Sequence, residues 1–235
     1  MSTIKILNFF LVFVCFNAHA NYIGGLGYID REDYRVENEI NPSPLGTNFL
    51  PMLAYRGERL SVFGPKINYA LIKGAFGLGL TLSPSGDRYK ARDLDQRDGA
   101  INAGVSLRLL FLSLSYSADI THVHKGQTAK ASLGWRFALS KQLLFAPRIS
   151  KEFLSKSFVN YYYGIAADEV GEFSFYEAQG AVNNVYGAAL TYISNPKHSF
   201  TLNYSKKHFD RVIYESPTID KKSYATTSFF WNYNF

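Results

Sequence analysis

Apolar and polar residues alternate at period two along much of this chain of 235 residues. The pattern is clearest at the C-terminus, where aromatic residues occupy every second position: Phe229, Trp231, Tyr233 and Phe235. Period two places such residues on one face of a β-strand and the intervening, mostly polar residues on the other. Leu110–Ile120 and Thr128–Phe137 alternate in the same way. The alternation predicts an all-β fold whose strands have one apolar and one polar face.

The C-terminal aromatic row favours a membrane environment. A soluble protein rarely ends with four aromatic residues on one outward row, because such an edge would template aggregation. A transmembrane barrel turns the apolar row to lipid and the polar row to the lumen, and closure removes the edge. The terminal pattern also resembles the signal that outer-membrane proteins present to their insertion machinery. We therefore predict that these four residues form a membrane-insertion signal; the alternative is the last strand of a soluble sandwich.

Alternation and turn residues together predict twelve strands. They are Asn21–Asp30, Asn48–Tyr55, Arg59–Phe63, Lys66–Ile72, Ala75–Ser83, Gly99–Leu107, Leu110–Ile120, Thr128–Phe137, Gln142–Lys151, Asn183–Ile193, His198–Lys207 and Tyr224–Phe235. The links between them are in general alternately long and short, as in outer-membrane barrels whose chain ends both lie in the periplasm. We expect a single antiparallel transmembrane β-barrel of about twelve strands. Ten strands is the alternative, because the pieces on either side of Gly64-Pro65 are short.

The first 20 residues have the features of a secretory signal peptide. Lys5 is their only charged residue, residues 6–16 are almost wholly apolar, and Ala18-His19-Ala20 fits the A-x-A cleavage pattern. We expect cleavage after residue 20, so that residues 21–235 form the barrel; an uncleaved anchor is the alternative. Cys15 is the only cysteine and would leave with the signal peptide, so the exported chain would have no disulfide bond.

Composition agrees with a barrel in the outer membrane of a Gram-negative cell. No segment after residue 20 is long and apolar enough for a spanning helix, whereas a barrel needs apolar side chains only at alternate positions. Aromatic residues make up 16% of the chain, which suits girdles at the membrane interfaces. The formal net charge of +6 does not indicate a nucleic acid partner, because no Lys/Arg cluster reaches five residues. Outer-membrane lipid is the expected partner.

Two histidines and a carboxylate form a pattern that could carry catalytic or metal chemistry. His122 and His124 follow Asp119, and period two could place both imidazoles on one strand face. Two histidines do not define a metal site, so solvated loop histidines are the simpler interpretation. These residues and the serines at 113–117 could also be assembled into a catalytic triad, but serines on a lumen face commonly only solvate the lumen. We predict no catalytic residue, no metal and no cofactor.

Four cationic residues fall on the polar phase of their strands and are candidate lumen cations: Arg108, Lys130, Arg136 and Arg148. In a lumen of low dielectric constant such side chains would favour anions. They could equally pair with Asp119 or Asp98 and fill the lumen. Twelve strands lie between small filled barrels and wide porins, so the strand number does not decide between a pore and a closed lumen.

The segment Glu152–Val182 is the longest predicted outer loop and is rich in aromatic residues. Aromatic side chains on an exposed loop often form a binding surface. The candidates for such a surface are Tyr161, Tyr162, Tyr163 and Tyr176. The alternative is that these tyrosines lie at the membrane interface.

Several segments give the chain a resemblance to a known family. They are Leu50–Arg56, Asp98–Gly104, Asn160–Ile165, Tyr192 and Glu215–Pro217, together with the aromatic last strand. Through them the chain resembles the MipA/OmpV family over essentially all of residues 21–235. The resemblance implies an outer-membrane protein without enzymatic activity. It also implies partners, since family members are described as scaffolds that bring a lytic murein transglycosylase together with a murein synthase.

Three functions are therefore open. The first is a scaffold or binding protein for murein-synthesising and murein-hydrolysing enzymes. The second is a narrow anion or solute channel, or a solute-binding barrel, that uses the inward cations. The third is a surface adhesin that acts through the outer loops. The predicted periplasmic turns are very short, which leaves a scaffold little surface on that side.

Overall fold

The computed structural model describes residues 21–39 and 48–235, so the predicted signal peptide at residues 1–20 lies outside the described residues. The described chain forms one antiparallel sheet whose last strand pairs with the first. Its strands are β1 (Asn21–Arg31), β2 (Phe49–Arg56), β3 (Leu60–Phe63), β4 (Lys66–Ile72), β5 (Phe76–Ser85), β6 (Ala100–Leu109), β7 (Leu112–Asp119), β8 (Gln127–Gly134), β9 (Phe137–Ala138), β10 (Leu143–Leu154), β11 (Ala181–Ile193), β12 (His198–His208) and β13 (Ser223–Asn234). The pairing of the last strand with the first closes the barrel. The barrel has 12 strands because β8 and β9 pair with β10 as one strand of the wall.

The turn at Gly64-Pro65 decides the strand count. Each of the twelve predicted strands is present, and the ten-strand alternative is wrong because this dipeptide is a turn and not a bulge. Gly64 has a φ of +53°, a conformation that L side chains rarely adopt, and Phe63 pairs with Lys66 across the turn. The two short strands β3 and β4 are therefore separate members of the wall.

The seam between β1 and β13 depends on a small residue. Gly25 pairs with Asn232, and a Cβ on Gly25 would lie 2.0 Å from the carbonyl oxygen of Trp231. The strands approach so closely here that only glycine fits. The C-terminus ends in the same seam, where the Phe235 N–H donates to the carbonyl oxygen of Tyr22 at 3.0 Å.

A proline in the neighbouring strand explains the break between β8 and β9. The register of the two segments continues across Trp135 and Arg136 and places Trp135 opposite Pro147 of β10. Pro147 has no N–H to donate, so the ladder is interrupted at this rung. The Trp135 N–H still donates to the Pro147 carbonyl oxygen at 3.2 Å. The predicted strand Thr128–Phe137 thus keeps its faces through the break.

The two faces of the wall differ as the alternation predicts. Exposed apolar side chains cover the outside, among them Leu26, Leu53, Leu80, Val105, Leu114, Leu133, Ile149 and Leu202. The C-terminal aromatic row lies on this face, with Phe229 at 43%, Trp231 at 37% and Phe235 at 75% exposure, and Tyr233 in ring contact with Phe235. The inner face carries hydroxyl and amide pairs such as Thr191–Thr201 and Asn203–Ser228. An apolar outside around a polar inside is the arrangement that lipid stabilises.

The two ends of the barrel differ in their connections. We define the turn end as the end that carries Asn21, Phe235 and the short links 57–59, 73–75, 110–111, 139–142 and 194–197. The opposite loop end carries residues 32–39, 48, 64–65, 86–99, 120–126, 155–180 and 209–222. No helix within the described residues is long and apolar enough to cross a membrane.

Candidate functional site

Five loops at the loop end pack together over the barrel. We define this cap as residues 32–39, 86–99, 120–126, 155–180 and 209–222. Its main core contains buried side chains of several loops: Tyr34, Phe158, Val159, Tyr162, Tyr163, Phe209, Ile213 and Ile219. A second cluster consists of Tyr89, Ala91, Leu94, Ile165 and Phe173. Because these clusters join loops that are distant in sequence, the cap is a packed unit and not a set of separate exposed loops.

A short helix forms the part of the cap that faces the lumen. α1 (Lys156–Tyr163) begins after Ser155, whose hydroxyl oxygen accepts a hydrogen bond from the Phe158 N–H at 3.4 Å. The buried residues of α1 share one helix face: Phe158, Val159, Tyr162 and Tyr163. The Tyr162 hydroxyl donates to the Asp98 carbonyl oxygen at 2.9 Å and so connects α1 to loop 86–99. This helix was not predicted from the sequence, because 8 residues give few repeats of the helical period.

The four tyrosines predicted as an exposed binding surface lie mainly inside the cap. Tyr162 and Tyr163 are only 2% and 7% exposed, and Tyr161 and Tyr176 pack partly buried against the same core. Tyr176 also donates its hydroxyl to the Val212 carbonyl oxygen at 2.6 Å. The prediction is wrong for Tyr162 and Tyr163, because it assumed that tyrosines in a long loop face solvent or lipid, whereas several loops here bury these two against one another. For the partly exposed Tyr161 and Tyr176 it stays a prediction.

Arg35 lies at the centre of the cap. Its guanidinium carbon is 4.4 Å from the centre of the Tyr89 ring and 4.5 Å from that of Tyr163. Its Nη1 donates to the Tyr162 carbonyl oxygen at 2.8 Å and to the Thr218 hydroxyl at 3.2 Å. The side chain is almost wholly buried, and its Nε and Nη2 have no hydrogen-bond partner among the described residues. Stacking on tyrosine rings is therefore its main compensation, and this one residue joins four loops.

Asp119 holds loop 120–126 in its conformation. Its carboxylate accepts hydrogen bonds from the backbone N–H groups of Thr121, His124 and Lys125 at 2.8 to 2.9 Å. Three such bonds close the loop on the end of β7. Asp119 is thus engaged with the loop backbone and does not pair with any of the predicted lumen cations.

The two loop histidines lie in different environments. His122 is exposed, whereas His124 is 2% exposed and packs against the Phe158 ring. Its Nδ1 accepts from the Gly126 N–H at 2.9 Å, so Nε2 carries the proton and donates to the Asn102 side-chain oxygen at 3.2 Å. Burial lowers the pKa of His124, and Asp119 opposes this effect only in part. The solvated interpretation holds for His122 and is wrong for His124, and no cluster of three metal-ligating side chains occurs in the described part of the chain.

An ion pair stabilises the second cluster of the cap. Arg97 Nη2 donates to Glu169 Oε2 at 2.7 Å, and the same carboxylate accepts from the N–H groups of Asp95 and Ala166. Burial alone would raise the pKa of Glu169, but these hydrogen bonds lower it below its ordinary value. The carboxylate is therefore ionised at neutral pH and connects loop 86–99 to loop 155–180.

Below the cap the lumen contains two adjoining cavities. The lower cavity has a volume of about 580 Å³ and extends toward the turn end, and the upper cavity of about 500 Å³ lies beneath α1. Their linings share Lys66, Ser83, Ser115, Ser117 and Lys130. Side chains of α1 bound the upper cavity. The lumen is thus covered at the loop end by the cap.

Hydroxyl groups and cations line the lower cavity. Ser113, Ser115 and Ser117 of β7 stand in register with residues of the two neighbouring strands, namely Arg108, Ser106 and Gly104 of β6 and Ser132, Lys130 and Thr128 of β8. Of the four predicted lumen cations, Arg108, Lys130 and Arg148 line this cavity. Arg108 lies across Gly77 and Arg148 across Gly134, so each long side chain covers a position without a side chain.

The fourth predicted lumen cation, Arg136, lies outside the lining of both cavities. It keeps the lumen phase of its strand, but it is exposed and lies two residues nearer the turn end than Gly134, the partner of Arg148. Alternation predicts the face on which a residue lies and not its position along the barrel axis. For this reason the sequence grouped Arg136 with the three cations that line the lower cavity.

The ion pairs suggested by the sequence are not the ones present. Lys130 pairs with Glu152 at 2.8 Å instead of with Asp119 or Asp98, and Glu152 also accepts from Lys207 at 2.8 Å. Neither Arg108 nor Arg148 has a carboxylate partner among the described residues. Strand register explains the difference, because Lys130 and Glu152 are direct cross-strand partners.

Comparison with protein families identifies the relatives of this barrel. A family model described as MltA-interacting protein MipA matches residues 23–235. The chain belongs to the MipA family. The family inferred from the sequence is thereby confirmed, and this MipA-family barrel, with its lipid-facing exterior, is an outer-membrane protein of a Gram-negative cell. No curated protein matches the chain in sequence.

Solved outer-membrane barrels share only the general architecture of this MipA-family chain. OprD from Pseudomonas aeruginosa is similar at 10% identity and a TM-score of 0.37, over 93% of this chain and 66% of the OprD chain. Neisserial surface protein A gives 10% identity and 0.31, over 92% and 97%. The CymD monoaromatic hydrocarbon channel gives 11% and 0.38, over 94% and 89%. The chain thus spans just under two thirds of the OprD length, and similarity at this level says nothing about a solute.

The orientation of this MipA-family barrel can be tested with single cysteines. We expect Lys90→Cys, Lys156→Cys and Lys221→Cys to react with an impermeant thiol reagent on intact cells, because these exposed positions lie at the loop end. Pro196→Cys, in an exposed link of the turn end, should react only after the outer membrane is permeabilised. The reverse labelling pattern would show that the loop end faces the periplasm.

Proposed function

We propose that this protein is a non-enzymatic binding protein of the outer membrane and not a general pore. The observation that carries the proposal is the cap, whose aromatic core covers the lumen at the loop end. The Asp119 and His124 pattern offers no support for catalysis, because both ring nitrogens of His124 are engaged by Gly126 and Asn102 and neither contacts a serine. Without an activated nucleophile or a metal cluster in the described residues, binding is the function that the geometry supports best.

We further propose that the binding partners are murein enzymes, with the barrel as a scaffold for a lytic transglycosylase and a murein synthase. Membership of a family described as MltA-interacting supports this proposal. The links of the turn end are short, yet they carry exposed apolar side chains, with Leu110 at 74% and Leu139 at 59% exposure. Nearby, the Phe111 and Trp135 rings are in contact at 5.8 Å. We call these four residues the turn-end patch, and such a patch is a suitable site for a protein partner.

The scaffold proposal can be tested by binding of a purified lytic transglycosylase to the full chain in a neutral detergent. Leu139→Ser should weaken binding, because Leu139 lies in a turn beyond the strands and loses its apolar contact area. Val170→Ser is the matched control, since Val170 is similarly exposed at 53% but lies in the cap. Equal binding of both variants and the parent chain would remove the turn-end patch from the proposal. Absence of binding by the parent chain would contradict the scaffold itself.

A further inference from the structure

The strands of this barrel contain few acidic residues. Within the described strands they are Asp30, Asp119 and Glu152. Asp30 is exposed and in phase with the outer face, and Asp119 binds loop 120–126. Glu152 is therefore the only carboxylate that the described strands direct into the lumen, and it is shared between Lys130 and Lys207. In the cap, Asp87 also lines the upper cavity but pairs with Arg31, so the lumen still has an excess of positive charge.

This excess is concentrated in the lower cavity. Five cationic residues line it: Arg59, Lys66, Arg108, Lys130 and Arg148. None of the described residues in its lining is acidic. Glu152 supplies one negative charge to both Lys130 and Lys207, whereas Arg108 and Arg148 have no carboxylate partner within the described part of the chain. Fixed charges of one sign in a confined space of low dielectric constant attract counter-ions strongly.

We propose that the lower cavity is a binding site for a small, hydroxyl-rich oxyanion, of the class of phosphorylated or carboxylated sugars. A guanidinium group presents paired N–H donors that match the oxygens of a phosphate or carboxylate. The serine hydroxyls beside Arg108 can both donate to and accept from sugar hydroxyls. A volume of about 580 Å³ lies within the range of small-molecule sites.

The geometry also gives the direction of entry. Arg108 lies near the turn end of β6, while the cap and the upper cavity lie on the opposite side of the site. The ligand therefore enters from the turn end, which is the periplasmic end in the orientation predicted from the sequence. This binding site goes beyond the scaffold proposal and does not depend on it, since the turn-end patch and the cavity share no residue.

The test is calorimetric titration of the purified full chain in a neutral detergent with glucose, glucose 6-phosphate and glucuronate. We expect the two anionic sugars to bind and glucose not to bind, with affinity that falls as salt is added. The double variant Arg108→Ser with Arg148→Ser should lose at least about tenfold in affinity for the anions, because two charge-assisted contacts are removed. Arg136→Ser should change affinity by less than about twofold, because it removes the same type of charge outside the cavity.

Several outcomes would overturn the site. They are binding of glucose with the same affinity as the anionic sugars, no binding of either anionic sugar, or a loss of affinity in Arg136→Ser as large as that of the double variant. Arg108→Lys with Arg148→Lys keeps both charges but loses the paired donors, so it should bind the anionic sugars more weakly than the parent chain and more tightly than the double serine variant. Heat-modifiable migration of each variant confirms an intact barrel. The double serine variant is also tested for binding to the lytic transglycosylase. If it binds the transglycosylase normally after it has lost the anionic sugars, the binding site and the scaffold can fail independently of each other.

Discussion

Removal of Phe235 should abolish most of the assembled protein in the outer membrane. The reason is recognition and not stability of the finished barrel. The Phe235 side chain is 75% exposed, and its ring packs mainly against Tyr233 at a centroid distance of 4.9 Å. Loss of so exposed a side chain, together with the one seam hydrogen bond from the Phe235 N–H to Tyr22, should cost the folded barrel only about 1–2 kcal/mol. A large loss in cells would therefore come from the insertion signal formed by the C-terminal aromatic row.

Two measurements separate these causes. Heat-modifiable protein in the outer membrane measures assembly in cells, and refolding of the purified chain into detergent measures intrinsic stability. We expect the truncated chain to give little heat-modifiable protein in the outer membrane but to refold normally in detergent. Phe76→Ala is the matched control, because Phe76 is a lipid-facing phenylalanine with 44% exposure that lies far from the C-terminus. Normal assembly of the truncated chain, or an equal defect for Phe76→Ala, would contradict a terminal signal.

The barrel wall could be predicted from the sequence because its physical cause is local. Lipid on one side and a polar lumen on the other impose alternation on each strand separately, so Leu112–Asp119 or Ser223–Asn234 can be recognised without its neighbours. The break at Trp135 could not be predicted in this way, because its cause is Pro147 in the partner strand. A ladder defect of this kind depends on the register between two paired strands, which cannot be inferred from the pattern of one strand alone.

The site was predicted less completely, because its residues depend on contacts between distant segments. Alternation placed Arg108, Lys130 and Arg148 on the lumen face, but the partner Glu152 follows from the pairing of β8 with β10. The cap was missed for the same reason, since its packing is not periodic. Arg35 could not be recognised at all, because its role comes from tyrosines that lie more than 50 residues away in the sequence.

Arg35→Ala should open the cap, and this is the second large effect that we expect. A desolvated cation–π contact stabilises by roughly 2 kcal/mol, and Arg35 makes two at short distance, to Tyr89 and Tyr163. The substitution also removes the donor to the Tyr162 carbonyl oxygen and leaves a void between rings. The four loops would then lose their common contact while the strand ladder of the wall stays complete. We therefore expect selective loosening of the cap and not loss of the barrel.

Planar bilayers and external protease detect this loosening. The parent chain should show no conductance in the bilayer, and its loop 155–180 should resist the protease. The Arg35→Ala variant should conduct, and its loop 155–180 should be cleaved. The current should prefer anions because Arg108 and Arg148 line the opened path, so addition of their serine substitutions should weaken the preference.

Arg92→Ala is the matched control. The Arg92 side chain is in the cap but is 74% exposed, and its pair with Glu172 spans 4.0 Å, so its removal should leave the cap closed. Steady conductance of the parent chain would show that the cap does not close the lumen. A quiet, resistant Arg35→Ala variant would show that the aromatic core holds the loops together without the guanidinium at its centre.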